Sequence, residues 1–129
     1  SLLSAPYLGY VDADDEIYQN TRRLILSETN PYFYKGTQAE GVGSPHTPPR
    51  YIWHIALSIQ GLTSLKREEK RELLELMART DGGTGFMHEG FNVDDHTRYT
   101  REWFSWANSM FCELVFDYLG IGLNQQLDV

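Results

Sequence analysis

The chain has 129 residues and a mass of 14.9 kDa, which is the size of one domain. Its 41% hydrophobic and 22% charged residues match the averages of folded globular proteins, so the composition excludes a disordered or collagen-like chain. Eighteen acidic residues against 11 basic ones give a formal net charge of -7. This charge works against a nucleic-acid partner, because phosphate contacts need clustered Lys and Arg.

The first predicted helix covers residues 14–28, where acidic side chains favour its N-terminus. Its apolar face repeats at helical spacing and consists of Ile17, Thr21, Leu24 and Ile25. Asn30-Pro31 ends it, because the residue before a proline is pushed out of the α region. We expect a short extended piece over residues 32–34 and a loop from Gly36 to Thr47.

The second predicted helix begins at Pro48 and Pro49, because proline suits the first turn of a helix. Its apolar positions fall on more than one side and predict a buried helix; they are Ile52, Trp53, Ile55, Ala56, Leu57 and Ile59. After a turn at residues 61–64, residues 66–79 combine four apolar positions with a heavily charged remainder. This pattern predicts a third helix that lies on the surface.

Residues 80–99 contain four glycines and no sustained period, which predicts a long loop, and loops of this length are often functional. The last predicted helix covers residues 100–119, and a frayed tail follows over 120–129. Its apolar stripe predicts deep burial and consists of Trp103, Trp106, Ala107, Met110, Phe111, Leu114, Val115 and Tyr118. These elements predict an all-α fold of about four helices with long loops, as in a helical bundle or toroid.

Cys112 is the single cysteine and cannot form an intrachain disulfide, which excludes a disulfide-built secreted scaffold. Uncharged apolar runs such as 114–116 are far shorter than the roughly 20 residues that cross a bilayer, so we expect no membrane partner. The lack of a visible signal peptide and of disulfides favours the cytoplasm over secretion. The chain starts at Ser1 in mid-pattern, from which we expect a piece of a longer protein.

Three sites of possible chemistry have simpler structural interpretations. Cys112 has no His three or four positions away, which predicts a packed small hydrophobe. His54 has apolar neighbours and is predicted to be a hydrogen-bonded core histidine. A possible metal-ligand cluster crowds into nine residues and consists of His88, Glu89, Asp94, Asp95 and His96, but zincin spacing would require His at position 92, where the chain has Asn. We therefore expect no metal and no cofactor.

Residues 85–92 read Gly-Phe-Met-His-Glu-Gly-Phe-Asn and place a carboxylate on a glycine-hinged loop among aromatic rings. Sugars offer apolar C–H faces to such rings and hydroxyls to polar side chains, and hydrolysis of a glycoside needs two carboxyl groups. The segment therefore indicates a carbohydrate site centred on Glu89. The alternative, that Glu89 is an ordinary loop glutamate, stays open.

Long segments rich in Trp, His, Pro and Gly run through nearly the whole chain; they are SLLSAPYLGYVDADD, NTRR, GSPHTPPRYIW, TDGGTGFMHEGFNVDD and TREWFSWANSMFCELVFDYLG. In these segments the sequence resembles the C-terminal part of glycoside hydrolase family 125, the metal-independent exo-α-1,6-mannosidases. The resemblance implies an (α/α)6 barrel about three times this length. Residues 1–129 would then be the C-terminal third of a single catalytic domain, with the remainder upstream.

The resemblance also implies an inverting exo-α-1,6-mannosidase that releases terminal mannose from α-1,6-linked mannosides or N-glycan-derived oligosaccharides. Inversion needs a general acid and a general base about 6.5–9.5 Å apart. Glu89 is implied as the base, with Glu102 as the runner-up, and the acid is expected outside this chain, which alone should be inactive. The residues expected to bind or stack on mannose are His46, Thr47, His88, Phe91, Asp94, Arg101 and Trp103.

Two other functions stay open. A self-standing, non-catalytic helical module would bind a carbohydrate or a protein partner. The discriminating feature is the apolar surface of the second and last helices, some of which would be exposed in an isolated chain of 129 residues. A metal-dependent hydrolase built on His88, Glu89 and His96 would lose its activity to a chelator. Two plainer alternatives also remain: residues 44–49 form only a rigid turn, and Arg101 pairs with a neighbouring aspartate.

Overall fold

The computed structural model describes residues 1–121, in which four α-helices accompany five short β-strands. In chain order these are a 3-10 turn (Leu2–Ser4), α1 (Glu16–Ile25), β1 (Phe33–Lys35), β2 (Glu40–Val42), β3 (Tyr51–Trp53), α2 (His54–Leu62), α3 (Arg67–Arg79), β4 (Gly90–Asn92), β5 (Tyr99–Thr100) and α4 (Ser105–Leu119). The fold is therefore mixed α/β, and the predicted all-α class is wrong. Most of the predicted frayed tail lies outside the described residues.

The strands form two separate antiparallel sheets. In the first, β1 pairs with β2. In the second, β4 lies between β3 and β5, so that Gly90 is opposite Trp53 on one side and opposite Thr100 on the other. This three-stranded sheet lies within segments predicted as helix and loop, and it determines where the residues of the 80–99 segment lie.

The predicted boundaries fail where these strands begin. Residues 51–53 pair with β4 and so cannot belong to a helix that starts at Pro48; α2 begins six residues later, at His54. The predicted last helix likewise begins at Ser105, because Tyr99 and Thr100 belong to β5. Strands of two or three residues are too short for an alternating pattern to reveal them. The extended piece predicted at 32–34 is confirmed to within one residue by β1.

Helix α1 is shorter than predicted, and a side-chain cap determines where it begins. Asp15 caps the N-terminus, since its Oδ1 accepts a hydrogen bond from the Tyr18 N–H at 2.9 Å. The helix ends at Ile25, before the Asn30-Pro31 pair. On the face towards the core, the Arg22 side chain is buried and donates to Thr63 Oγ1 and Glu69 Oε1.

Helix α2 is the centre of the core and packs against α3 and α4. Its predicted burial is confirmed at Ile55, Leu57 and Ile59, whereas Ala56 is half-buried. The helix also buries His54, Ser58 and Gly61, and it runs to Leu62, into the predicted turn. Helix α3 buries a single stripe, Leu73, Leu76 and Met77, and leaves its charged side exposed, as predicted for a surface helix. None of the helices among residues 1–121 is long and apolar enough to span a bilayer.

Helix α4 does not have the predicted deep burial. Only Ala107, Met110 and Leu114 of this helix are buried, whereas Trp106 and Cys112 are exposed, so the prediction of a packed Cys112 is wrong as well. The helix is apolar on most of its circumference, and α2 and α3 cover only one side of it. On another side, an apolar groove of about 900 Å³ runs between α4, α2 and the N-terminal segment.

Candidate active site

Glu89 lies directly before β4, the central strand of the three-stranded sheet. Its backbone N–H donates to the carbonyl oxygen of Thr100 at 3.2 Å, and the N–H of Gly90 donates to Thr100 Oγ1 at 3.1 Å. These bonds fix the start of β4 to the end of β5. The carboxylate of Glu89 is only 15% exposed, so the sheet presents it in a partly desolvated position.

Arg101 holds the Glu89 carboxylate from the adjacent strand end. Its Nε donates to Glu89 Oε2 at 3.0 Å, and its guanidinium carbon lies 5.6 Å from the ring centroid of Phe104. Arg101 has a φ of 55°, a left-handed conformation that is uncommon for residues other than glycine. Within residues 1–121, Arg101 provides the only hydrogen bond to this carboxylate, which leaves Oε1 available to a water or a ligand hydroxyl.

Two buried histidines lie beneath Glu89. His54, the first residue of α2, accepts a hydrogen bond from the His88 N–H at Nδ1 (2.8 Å) and donates from Nε2 to the Thr80 carbonyl oxygen (3.1 Å). Burial lowers the pKa of His54 to about 4, with a smaller contribution from the charge of His88. The prediction of a hydrogen-bonded core histidine is confirmed at His54.

The His88 side chain also faces the protein interior. Its Nδ1 lies 2.9 Å from the Arg101 carbonyl oxygen, and its Nε2 lies 3.0 Å from both the Asp81 carbonyl oxygen and Thr84 Oγ1. The ring stacks on Tyr99 with the centroids 3.8 Å apart. The His88 ring therefore links Arg101, at the end of β5, to the turn at residues 81–84. Both of its ring nitrogens are occupied by these contacts.

Thr47 and Trp53 pack against the residue that follows Glu89. Trp53 Nε1 donates to Thr47 Oγ1 at 3.0 Å, and a Cβ atom at Gly90 would lie 3.2 Å from Thr47 Cγ2 and 3.3 Å from the Trp53 ring. Glycine at position 90 therefore lets the two side chains approach the strand closely. His46 is exposed, and its ring centroid lies 6.5 Å from that of Trp53. Trp53 was predicted only as part of a helix; its place six residues after Thr47 in GSPHTPPRYIW is the signal that could have linked it to the site.

Of the remaining predicted mannose contacts, Phe91 is buried, Asp94 lies beyond the other end of β4, and Trp103 is on the surface. Phe91 has no exposed surface and stacks on His54 with the centroids 4.5 Å apart. Asp94 follows the opposite end of β4, and its Oδ2 lies 2.6 Å from Arg50 Nη2. Trp103 is 73% exposed and lies beside Phe86 on the surface.

The hydrogen bonds of Asp94 are structural in character. The Arg50 guanidinium and the Thr37 N–H bond its two oxygens and hold the pKa of this carboxyl below its usual range, with the Arg50 hydrogen bond as the largest cause. Because Arg50 pairs with Asp94, the suggested Arg101–Asp94 pair does not form, and Arg101 pairs with Glu89 instead. Glu102, the runner-up for the base, is exposed.

The geometry gives no support to a metal centre at His88, Glu89 and His96. His88 has both ring nitrogens in contact with backbone oxygens, and His96 Nδ1 accepts a hydrogen bond from the Gly82 N–H at 3.0 Å. In the part of the chain that the structure describes, no three His, Cys, Asp or Glu side chains are placed to share an ion.

Comparisons with known proteins identify relatives of the chain. The family model described as metal-independent alpha-mannosidase (GH125) matches residues 1–116. A solved Streptococcus pneumoniae structure from a family of metal-independent alpha mannosidases, in a non-productive complex with alpha-1,6-mannobiose, is 66% identical with a TM-score of 0.93. The meiotically up-regulated gene 157 protein of Schizosaccharomyces pombe is 48% identical over 120 residues.

The matches cover nearly all of this chain and a small part of each relative. They span 94% of this chain and 28% of the Streptococcus pneumoniae chain, and 92% of this chain and 24% of the yeast protein. The chain therefore has about a quarter of the length of these two relatives.

Proposed function

Because the chain belongs to the GH125 family of metal-independent alpha-mannosidases, we propose that it carries the general-base side of a glycoside hydrolase site. The proposed reaction releases terminal mannose from α-1,6-linked mannosides, including N-glycan-derived oligosaccharides, with inversion at the anomeric carbon. The observation that carries this proposal is the partly desolvated Glu89 carboxylate, which Arg101 holds by one oxygen directly before the start of β4.

In the proposed reaction Glu89 removes a proton from a water molecule while that water attacks the anomeric carbon. The bond between this carbon and the glycosidic oxygen breaks, and a second carboxyl group protonates the departing oxygen. Arg101 occupies Oε2 of Glu89, so Oε1 is the oxygen that accepts the water proton. The general acid is proposed to come from residues outside this chain.

The side chains around Glu89 suggest how the sugar is bound. Arg101 has donors to spare beyond its bond to Glu89, and His46 is exposed beside Trp53, so both are proposed to donate to mannose hydroxyls. The exposed ring of Trp103 is proposed to stack on an apolar sugar face. Thr47 is proposed to act through Trp53, which it orients by a hydrogen bond.

The test uses a chimera in which this chain replaces the segment of the Streptococcus pneumoniae protein that it matches. We expect Glu89→Gln to lower kcat by about 10²–10⁴-fold, since general-base catalysis contributes that much. Mannose release from α-1,6-mannobiose measures the rate, and proton NMR of the first-formed anomer reports inversion. Glu40→Gln is the matched control, because Glu40 is an exposed residue of β2 paired with Lys35.

A near-normal kcat for Glu89→Gln would remove Glu89 as the base and bring Glu102 forward, to be tested as Glu102→Gln. The α anomer as first product would contradict inversion. We expect a chelator to leave the rate unchanged, and a loss of activity that added metal restores would favour the metal-dependent alternative.

A further inference from the structure

We propose that His54 is the positioning residue for the candidate base: its imidazole holds the Met87–His88 peptide in place, one residue before Glu89. This inference rests on the proposed role of Glu89. His54 does not contact the carboxylate, and its effect is exerted through the backbone that carries Glu89.

The His54 ring connects three elements. It belongs to the first turn of α2, it accepts from the His88 N–H at 2.8 Å, and it donates to the Thr80 carbonyl oxygen at the end of α3 at 3.1 Å. Its face stacks on Phe91, two residues beyond Glu89. One rigid side chain therefore contacts the chain on both sides of the candidate base.

The hydrogen bonds fix the tautomer of this ring. The Thr80 carbonyl oxygen only accepts, so Nε2 carries the hydrogen, and the His88 N–H only donates, so Nδ1 is unprotonated. A proton on Nδ1 would face the His88 amide hydrogen. The low pKa of the buried ring, about 4, agrees with a neutral imidazole that accepts at one nitrogen and donates at the other.

Two successive peptides before β4 are held by hydrogen bonds, Met87–His88 by His54 and His88–Glu89 by Thr100. His54 bonds the N–H of His88, and on the opposite side the Thr100 carbonyl oxygen accepts from the N–H of Glu89 at 3.2 Å. Without the His54 acceptor, a buried N–H would lose its partner and the peptide would shift to find another. A shift of about 1 Å at a reacting group costs on the order of a hundredfold in rate.

Asn and Gln separate the two halves of this role. The side-chain oxygen of Asn can take the place of Nδ1 and accept from His88, and the amide nitrogen of Gln can take the place of Nε2 and donate to Thr80. Each substitution loses one hydrogen bond of the buried ring, so we expect similar melting temperatures. Only His54→Asn keeps the hydrogen bond from the His88 N–H, one residue before Glu89.

The kinetic experiment compares these variants in the chimera. We expect His54→Asn to stay within about threefold of the parent, and His54→Gln to lose about tenfold to hundredfold in kcat with little change in KM, because the base is displaced. In a Glu89→Gln background, His54→Gln should lower kcat no further. Equal kcat values for His54→Asn and His54→Gln, or losses that follow the melting temperature, would overturn the proposal.

A second measurement applies to the chain itself, independent of turnover. Amide hydrogen exchange at His88 should remain slow in His54→Asn and become faster in His54→Gln, and equal exchange in both variants would also overturn the proposal.

The outcomes of the two measurements separate this inference from the proposed function. If Glu89→Gln is active, Glu89 is not the base, but the difference in exchange at His88 between the two His54 variants should remain. If Glu89→Gln is inactive and the two His54 variants have equal kcat and equal exchange, only the positioning role of His54 is refuted.

Discussion

The two ends of β4 carry the same pair of side-chain types in different surroundings. At one end Arg101 pairs with Glu89, and at the other Arg50 pairs with Asp94. Both arginines have positive φ angles, 55° at Arg101 and 67° at Arg50, and among residues 1–121 they are the only residues other than glycine that do. The backbone thus makes the same unusual turn twice to bring a guanidinium to a carboxylate.

The difference lies in how completely each carboxylate is bonded. Asp94 is 41% exposed, and both of its oxygens accept hydrogen bonds from Arg50 or Thr37, so it joins β4 to the segment after β1. Glu89 is 15% exposed, has one oxygen bonded, and follows the buried His88. A fully bonded carboxylate stabilises the fold, whereas a desolvated carboxylate with a free oxygen is suited to chemistry.

The largest expected difference is between His54, which supports the Glu89 end of β4, and Asp94 at the other end. It concerns the pH dependence of the free energy of unfolding. The pKa of His54 is about 4 in the folded chain, whereas an exposed histidine titrates near 6.5. Between these values the unfolded chain binds a proton that the folded chain excludes. Stability should therefore fall by about 3 kcal/mol as the pH drops from about 6.5 to 4.

Asp94 is an acid, and its effect on stability falls in a lower pH range than that of His54. Its pKa is held down in the folded chain, so its contribution is present above about pH 4 and is lost as the pH falls further. Urea unfolding at several pH values measures the free energy of unfolding. Compared with the parent chain, this free energy should depend less on pH in His54→Asn between about pH 6.5 and 4, and in Asp94→Asn only below about pH 4. His88 and Asp81 also face His54 and are common to all these chains, so equal slopes in the parent and His54→Asn would contradict the assignment.

The next comparison removes each guanidinium in the chimera. Arg101→Ala should lower kcat/KM about tenfold, because the Glu89 carboxylate loses the one hydrogen bond that residues 1–121 donate to it, in a partly exposed site. Arg50→Ala should leave kcat/KM unchanged and lower the melting temperature, because it breaks the link between Asp94 and β4. Equal losses of kcat/KM at the two positions would show that the ends of β4 do not differ in function.

Apart from β1, the elements whose positions the sequence predicted are helices with a long apolar period. Helices α2 and α3 span 9 and 13 residues, and their buried and surface characters follow from spacing alone. Strands β3, β4 and β5 have two or three residues each, and β3 pairs with a strand almost 40 positions away. No local pattern encodes such a pairing, which is why the all-α prediction failed.

The candidate base was found from the aromatic and glycine content around Glu89 and from the family resemblance. Its pairing with Arg101 was not, because that contact depends on the register of Gly90 opposite Thr100 in the β4–β5 pair. The exposed Trp106 shows a limit in predicting burial from an apolar pattern. An apolar stripe predicts that a helix face is suited to burial, but it does not tell whether the chain supplies enough surface to cover that face.

The smallest expected effect concerns the strain that the two ends share. Alanine is disfavoured at a positive φ and glycine is not, so at both positions the Gly variant should be more stable than the Ala variant by about 1 kcal/mol. Both substitutions remove the ion pair, so urea unfolding of Arg50→Gly against Arg50→Ala isolates the backbone term, and the same holds at Arg101. The kinetics should not follow this pattern: Arg101→Gly should be as slow as Arg101→Ala, because relief of strain does not replace the guanidinium. If Arg101→Gly recovered the parental kcat/KM, backbone conformation rather than the ion pair would be what holds Glu89 in place.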